Sequence, residues 1–451
     1  MRTREVDMLN GKITSAILMF ALPLMISSIL QLLFNAVDII VVGKFVGQNS
    51  LAAVGSTGPL INLIINLFMG ISIGSSVLMG NFLGANDYKN SKETLHTSIL
   101  FAIVSGVLMV FIGISTSRPI LKMMGTPDEV LDLAITYIDI FYLGMPGFML
   151  YNFGAAIFRS IGDTKRPLYF LTLSGIINVI LNLILVIVFH MGVAGVAIAT
   201  VFSQYVSAIL ILVALTRGDR LRLDFKKLKF NGEKIKEIIR IGLPAGIEGI
   251  LFSISNVLIQ ASINSFGPSV MAGNTAASNI EGFVFMAMNA LYQTSLSFTA
   301  MNMGAKKYHR VDSITLKSNI IVFIIGLVLG LGAYFAGEFL LSIYTSEAEV
   351  VKFGLERLMI ICTTYAICGV MDVMVGSIRG IGYSIIPTII TLLGVCVIRV
   401  IWIYTVFKIY PYTYTLYLSY PITWLITAIM HIISYLVIRK KRFNLKPQKA
   451  A

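Results

Sequence analysis

Phe158-Arg159-Ser160-Ile161-Gly162-Asp163-Thr164-Lys165-Arg166-Pro167 is a polar break between two long apolar runs, and part of it is written twice. Arg159, Gly162 and Pro167 recur as Arg379, Gly382 and Pro387, 220 residues further on. Other pairs keep nearly the same spacing: Ala21-Leu22-Pro23 with Gly242-Leu243-Pro244, Gly84-Ala85 and Tyr88 with Gly304-Ala305 and Tyr308, and Glu129-Val130 with Glu349-Val350. Four matches in register along the chain predict two copies of one structural unit.

Working outward, the material between such breaks is apolar. Of 451 residues 57% are hydrophobic and 13% charged, against about 25% charged in a soluble domain. Turn-forming breaks separate twelve candidate helices, near 13–36, 51–77, 94–115, 130–157, 168–188, 193–215, 235–264, 270–303, 314–336, 350–377, 385–406 and 417–438. Spans of roughly 20–25 residues leave room for short loops and little else. The expected fold is an all-α polytopic membrane protein of twelve transmembrane helices. An even number of helices per copy makes the copies parallel, so two six-helix lobes are related by a pseudo-two-fold axis along the membrane normal. The expected division is 1–215 for the first lobe, 216–240 for a basic cytoplasmic linker and 241–451 for the second lobe with a basic tail.

Charge sets the orientation. With both termini cytoplasmic, 28 of the 35 Lys and Arg fall inside; only Lys44, Arg118, Lys122, Lys352, Arg357 and Lys408 fall outside, and Arg399 lies within a span. This positive-inside bias places the chain in the cell membrane with its N- and C-termini in the cytoplasm. The net charge of +13 then needs no nucleic-acid partner; clusters such as Arg439-Lys440-Lys441-Arg442 suit anionic lipid headgroups. The first apolar run is too long for a signal-peptide core and reads as a retained helix.

Several classes of function fall away. Cys362, Cys368 and Cys396 form no CxxC pair, and His96, His190, His309 and His431 give no metal-ligand spacing. No P-loop is present and no cluster of catalytic residue types, so an enzyme or ATP-driven pump is not expected, and no cofactor. Duplicated halves favour a transporter with a cavity between them.

Further stretches narrow the field: Asn35-Ala36-Val37-Asp38 through Val54-Gly55, Asn81-Phe82-Leu83-Gly84-Ala85 with Asn302-Met303-Gly304-Ala305, and Ser278-Asn279-Ile280-Glu281. Together with the Leu-Pro of helices 1 and 7 and the Phe158–Pro167 segment, the chain resembles the multidrug and toxic compound extrusion (MATE) transporters of the MOP flippase superfamily. It resembles their DinF-like branch most, over nearly its whole length. The resemblance implies a secondary antiporter, working as a monomer, that exports amphipathic, often cationic compounds in exchange for H⁺ or Na⁺. The alternative within the superfamily is a flippase for a lipid-linked saccharide. Such a flippase needs a basic cavity, and the spans here hold one clear mid-helix Arg against Asp38, Glu248, Glu281 and Asp372.

Ionisable groups inside spans are functional candidates by default. Asp38 shares a helix face with Asn35, and Asn178 with Asn182; carboxylate and amide oxygens suit Na⁺, and a lone carboxylate suits a proton. The resemblance places Asp38, Asn152, Asn178, Asn182 and Thr200 at the cation site of the N-terminal lobe, with Asn at 182 where the branch can carry Asp. The Na⁺ ligands would be Asp38, Asn178 and Asn182. Asp38 alternatively caps or cross-links helices, and a straight fourth helix puts Asn152 nearer the cytoplasm than Asn182. In the second half, Glu248 and Asp372 suggest the cation site of the NorM-like branch, although their spacing departs from it; bonding within the bundle or lining the cavity is the alternative. Glu281 is either a counter-charge for cationic cargo or a packing group. Arg399 is expected to pair with a buried carboxylate, the alternative being contact with an anionic headgroup. Arg159 and Arg379 are expected to bond carbonyls at helix C-termini.

Overall fold

The computed structural model describes residues 5–218 and 221–443, and among these every regular element is helical. Arg2, Arg4, Arg220, Lys446 and Lys449, all part of the charge tally, lie outside the described residues. Each of the twelve expected spans contains a long helix. They are α1 (Ile13–Phe45), α2 (Gln48–Gly84), α3 (Tyr88–Met123), α4 (Asp128–Leu143 and Met145–Ser160), α5 (Lys165–Val188) and α6 (Gly192–Thr216). The second set is α7 (Gly232–Asn264), α8 (Pro268–Gly304), α9 (Tyr308–Phe335), α10 (Ala348–Gly380), α11 (Ile385–Phe407) and α12 (Thr413–Arg442). Ten are long and apolar enough to cross a membrane individually, and α4 joins them if its two pieces, bent by 46°, count as one span. The exception is α8, which carries Asn274, Ser278, Asn279, Glu281, Asn289 and Gln293. At 37 residues α8 is about 55 Å long, well beyond the ~30 Å of a hydrocarbon core.

The duplication extends to the backbone. Gly47 and Gly267 precede α2 and α8 with φ of 111° and 95°; Gly162 and Gly382 precede α5 and α11 with φ of 88° and 103°. An L-residue is strained there and glycine is not. Asn86 and Lys306, again 220 apart, both hold φ of 57° at the turn between helices.

The chain divides into two compact units, but the border departs from the expected cuts at 215 and 241. One unit takes Glu5, Val6 and Ile26–Leu243, the other Asp7–Met25 and Pro244 onward. Helices α1 and α7 thus each pass from one unit to the other, beside Pro23 and Pro244. Proline removes a backbone hydrogen bond and clashes with the preceding turn, which makes these the cheapest places for a helix to change its surroundings. The expected linker is also no free tether. Leu223 N–H bonds the Leu215 carbonyl at 3.0 Å, Asp224 N–H bonds His96 Nε2 at 3.1 Å, and Asn231 bonds Glu93 at 3.0 Å. All of these belong to the first unit.

Within the second unit α10 is the hub, packed on α8, α9 and α12. Small residues let these helices approach: a methyl group added at Gly330 of α9 would collide with the Cys362 carbonyl oxygen of α10. Hydroxyls fill the narrow contacts, with Ser377 of α10 bonded to Ser295 at 2.8 Å and to Thr315 at 3.2 Å. Large apolar residues such as Phe111, Val328 and Phe335 face outward. Small polar groups inside and bulky apolar ones outside is the arrangement a lipid solvent favours.

Candidate functional site

The first unit encloses a cavity of about 480 Å³ bordered by Asp38 and Asn35 of α1, Asn178 of α5, Thr200 of α6 and Asn152 of α4. Asn178 and Asn182, four residues apart, point from one face of α5. Gly175 sets that helix against α1, because the Phe34 ring occupies the space a side chain would fill. Asn182 is fully buried and donates its amide to Asp38 Oδ1; it also donates to Asn178 Oδ1 at 3.3 Å. Asn178 donates to Thr200 Oγ1 at 3.4 Å. Thr200 Oγ1 lies 3.4 Å from Asp38 Oδ2 and donates to the Val196 carbonyl at 3.0 Å. Asp38, Asn178, Asn182 and Thr200, drawn from three helices, therefore form one connected set.

Asn152 stands apart from that chain of bonds. Its amide turns back to the Phe148 carbonyl of its own helix at 2.8 Å, yet it borders the same cavity. The straight fourth helix expected from sequence is absent: α4 breaks at Gly144, and the bend brings Asn152 to the cavity wall.

The set contains one carboxylate, two amides and a hydroxyl. Among the described residues no group of three His, Cys, Asp or Glu is placed to hold a metal ion. A single negative charge with neutral oxygens around it suits a proton or a monovalent hard cation. The Asn182 Oδ1 is buried without a hydrogen-bond partner, so the set retains an unused acceptor.

The second unit arranges its acids differently. Arg357 makes a two-pronged ion pair with Glu281, Nε to Oε1 at 2.8 Å and Nη2 to Oε2 at 2.7 Å, and its Nη1 donates to Asn274 Oδ1 at 2.6 Å. Both partners are buried. Glu281 is thereby already neutralised by the protein. Glu248 pairs with Arg379 at 2.6 Å, and Arg379 also donates to the Tyr292 hydroxyl at 2.8 Å and to Thr388 at 3.1 Å. Arg379 thus serves a carboxylate across the bundle in place of the expected carbonyls of its own helix end. Asp372 makes no hydrogen bond or ion pair among the described residues, and Glu248 and Asp372 are not joined to each other.

Arg399 overturns its expectation. It is fully buried but has no carboxylate partner among the described residues. One Nη donates to Thr423 at 3.2 Å, the guanidinium lies over Tyr420 at 4.2 Å from the ring centre, and Nε and Nη1 have no partner. Glu281 and Glu248 are engaged by Arg357 and Arg379, and Asp372 makes no ion pair with it among the described residues. Sequence reading missed Arg357, assigning it to the outer surface although it falls inside the span 350–377; that position was the available signal.

A model of the MatE protein family matches the chain twice, over residues 23–184 and 244–405. A probable multidrug resistance protein, YoeA of Bacillus subtilis, is 30% identical over 386 residues, covering 84% of this chain and 83% of that protein. The multidrug export protein MepA of Staphylococcus aureus is 23% identical over 398 residues, 87% of this chain and 88% of its own. Among solved structures, an outward-facing conformation of a multidrug resistance MATE family transporter of the MOP superfamily matches with a TM-score of 0.90 at 23% identity. That match covers 98% of each chain.

Proposed function

The chain belongs to the MatE family, and from that membership we propose that it is a multidrug efflux antiporter, driven by H⁺ or Na⁺, that exports amphipathic cationic compounds by alternating access. Support for the cargo comes from the multidrug names of its relatives YoeA and MepA. Support for ion coupling comes from the first unit, where Asp38, the one carboxylate lining the cavity, is joined to the neutral oxygen-bearing side chains of Asn182, Asn178 and Thr200.

The observation that carries the reading is the Asp38–Asn182 contact beside the unpartnered Asn182 Oδ1. A half-turn of that amide presents oxygen to Asp38 in place of nitrogen. With a cation present, Asp38, Asn178, Asn182 and Thr200 supply oxygens; with a proton on Asp38, the unused acceptor receives its hydrogen bond. Either loading removes one negative charge from the cavity. A positively charged drug and the coupling ion then compete for the same charge, which is what exchange requires.

A lipid-linked anion is the competing cargo. Among the residues lining the cavity of the first unit there is one acid and no Lys or Arg, which favours cationic cargo there. The charge bias of 28 against six supports a cell-membrane location with both termini cytoplasmic. The test is efflux of a cationic dye from proteoliposomes under an imposed ΔpH and, separately, an imposed Na⁺ gradient. Acceleration by one gradient and not the other assigns the ion; acceleration by neither removes the proposal.

A further inference from the structure

The third helix of each copy buries the same face. Ser91, Leu95 and Ser98 of α3 are buried, and so are Val311, Thr315 and Ser318 of α9, each 220 residues further on. The copies part at the two positions between. His96 and Thr97 are buried as well, whereas their counterparts Leu316 and Lys317 are exposed. In the first unit the segment before α7 lies across α3: Asp224 N–H bonds His96 Nε2 at 3.1 Å, and Thr97 Oγ1 donates to the Lys229 carbonyl at 3.4 Å. Among the described residues nothing lies across the corresponding face of α9 in the second unit.

Beside that bare face stands the start of α1, which belongs to the second unit. The start of α9 holds its approach. Lys307 Nζ donates to the Leu9 carbonyl at 3.2 Å and to Asn10 Oδ1 at 2.7 Å, and Arg310 donates to the carbonyls of Met8 and Gly11. Thus fixed, the first two turns of α1 and Lys317 form a groove of about 570 Å³, whose lining includes Lys12, Thr14, Ser15, Leu18 and Met19.

The groove offers two kinds of surface. Lys12 and Lys317 come from different helices, are exposed, and make no side-chain ion pair or hydrogen bond among the described residues. The acids of the adjacent turns are engaged elsewhere: Asp7 accepts the Leu9 and Asn10 N–H groups, and Asp312 pairs with Arg439. Further along the same helices the exposed residues are apolar, Leu18, Met19 and Leu22 on α1 and Ile320 and Ile324 on α9. A lysine on such a face lays its stem on apolar surface and carries its ammonium towards the headgroup layer. Basic pockets between helices at the membrane boundary suit anionic headgroups. A ligand that brings phosphate to two ammonium groups and hydrocarbon to the apolar faces is a glycerophospholipid. A zwitterionic headgroup would bring its own cation to compete, so the favoured lipid is anionic.

We propose that this groove is a binding site for one anionic glycerophospholipid, its phosphate between Lys12 and Lys317 and its chains along α1 and α9. The first unit keeps no equivalent site, since its own chain lies across that face. The site stands independently of cargo and coupling ion, because its occupancy is read without transport.

The test is native mass spectrometry of the purified full-length protein, delipidated in detergent and titrated with palmitoyl-oleoyl phosphatidylglycerol or with the phosphatidylcholine of the same chains. The expected result is that the first phosphatidylglycerol binds at least about tenfold tighter than the first phosphatidylcholine. Lys12→Gln with Lys317→Gln removes that preference. Lys226→Gln with Lys227→Gln takes the same charge from the exposed segment of the first unit and leaves the preference intact, which separates a site from the general attraction of a basic protein. All four lysines are exposed, so these variants fold. Equal binding of the two lipids by the native protein, or a preference that survives Lys12→Gln with Lys317→Gln, overturns the proposal. A preference lost equally in both pairs, or one that emerges only when residues 444–451 are removed and the chain's own end is the occupant, overturns it too.

Discussion

Asn182 donates its side-chain amide to Asp38, joining residues 144 positions apart in a contact between α5 and α1 whose Asn182 end is fully buried. This contact makes a single carboxylate into a site, and it ranks the consequences of changing each member.

Asp38→Asn keeps the size and the hydrogen bonding but removes the only charge in the Asp38–Asn182 set. Ion-driven efflux of a cationic dye should fall at least about tenfold while the protein still reaches the membrane in normal amount. Efflux at the native rate in proteoliposomes would show that coupling resides elsewhere.

Asn182→Ala leaves Asp38 Oδ1 without its amide donor and Asn178 without its neighbour. The expected change is a lower apparent affinity for the coupling ion, with maximal efflux at saturating ion reduced less. Titrating initial efflux rates against the driving ion separates the two. Thr200→Val, whose hydroxyl lies at 3.4 Å, should act in the same direction but more weakly.

Breaking the Arg357–Glu281 pair is a matter of stability. Arg357→Met strands the buried Glu281, at a cost of about 3–5 kcal/mol, whereas removing both charges by Arg357→Met with Glu281→Leu recovers most of it. Thermal unfolding in detergent, followed by size-exclusion chromatography, should place the single variant well below the double. Equal losses in both would mean that packing and not charge dominates.

Gly330→Val puts a branched side chain where the Cys362 carbonyl oxygen already stands. Overpacking at such a contact costs about 1–3 kcal/mol, so the melting temperature should drop without a change in dye selectivity. The neighbouring Gly332 has open space at its Cβ, and Gly332→Val is the matched control expected to melt near the native temperature.

Much of the fold was legible because the relevant signals are local or periodic. Twelve apolar runs separated by turn formers became twelve helices, and the 220-residue echo reappeared in the left-handed backbone at Gly162 and Gly382. The Asp38 set was readable for the same reason, as amides four apart occupy one face of a helix. Arg357 was misplaced because a charge nine residues past the start of α10 looks the same in sequence whether it meets solvent or Glu281, which is 76 positions away. Arg379 was assigned to its own helix end, yet Glu248 is 131 positions away. The bend of α4 at Gly144 likewise moved Asn152 to a cavity wall where a straight helix would not have put it.

The sequence by itself determined the membrane class, the duplication and the short list of charges that burial makes expensive. Hydrophobicity and turn chemistry act over a few residues and can be summed along the chain. Which arginine meets which acid was decided only by tertiary structure, because a buried charge is stabilised by whichever partner the fold brings within about 3 Å. Arg357 and Arg379 were given carboxylates and Arg399 was not.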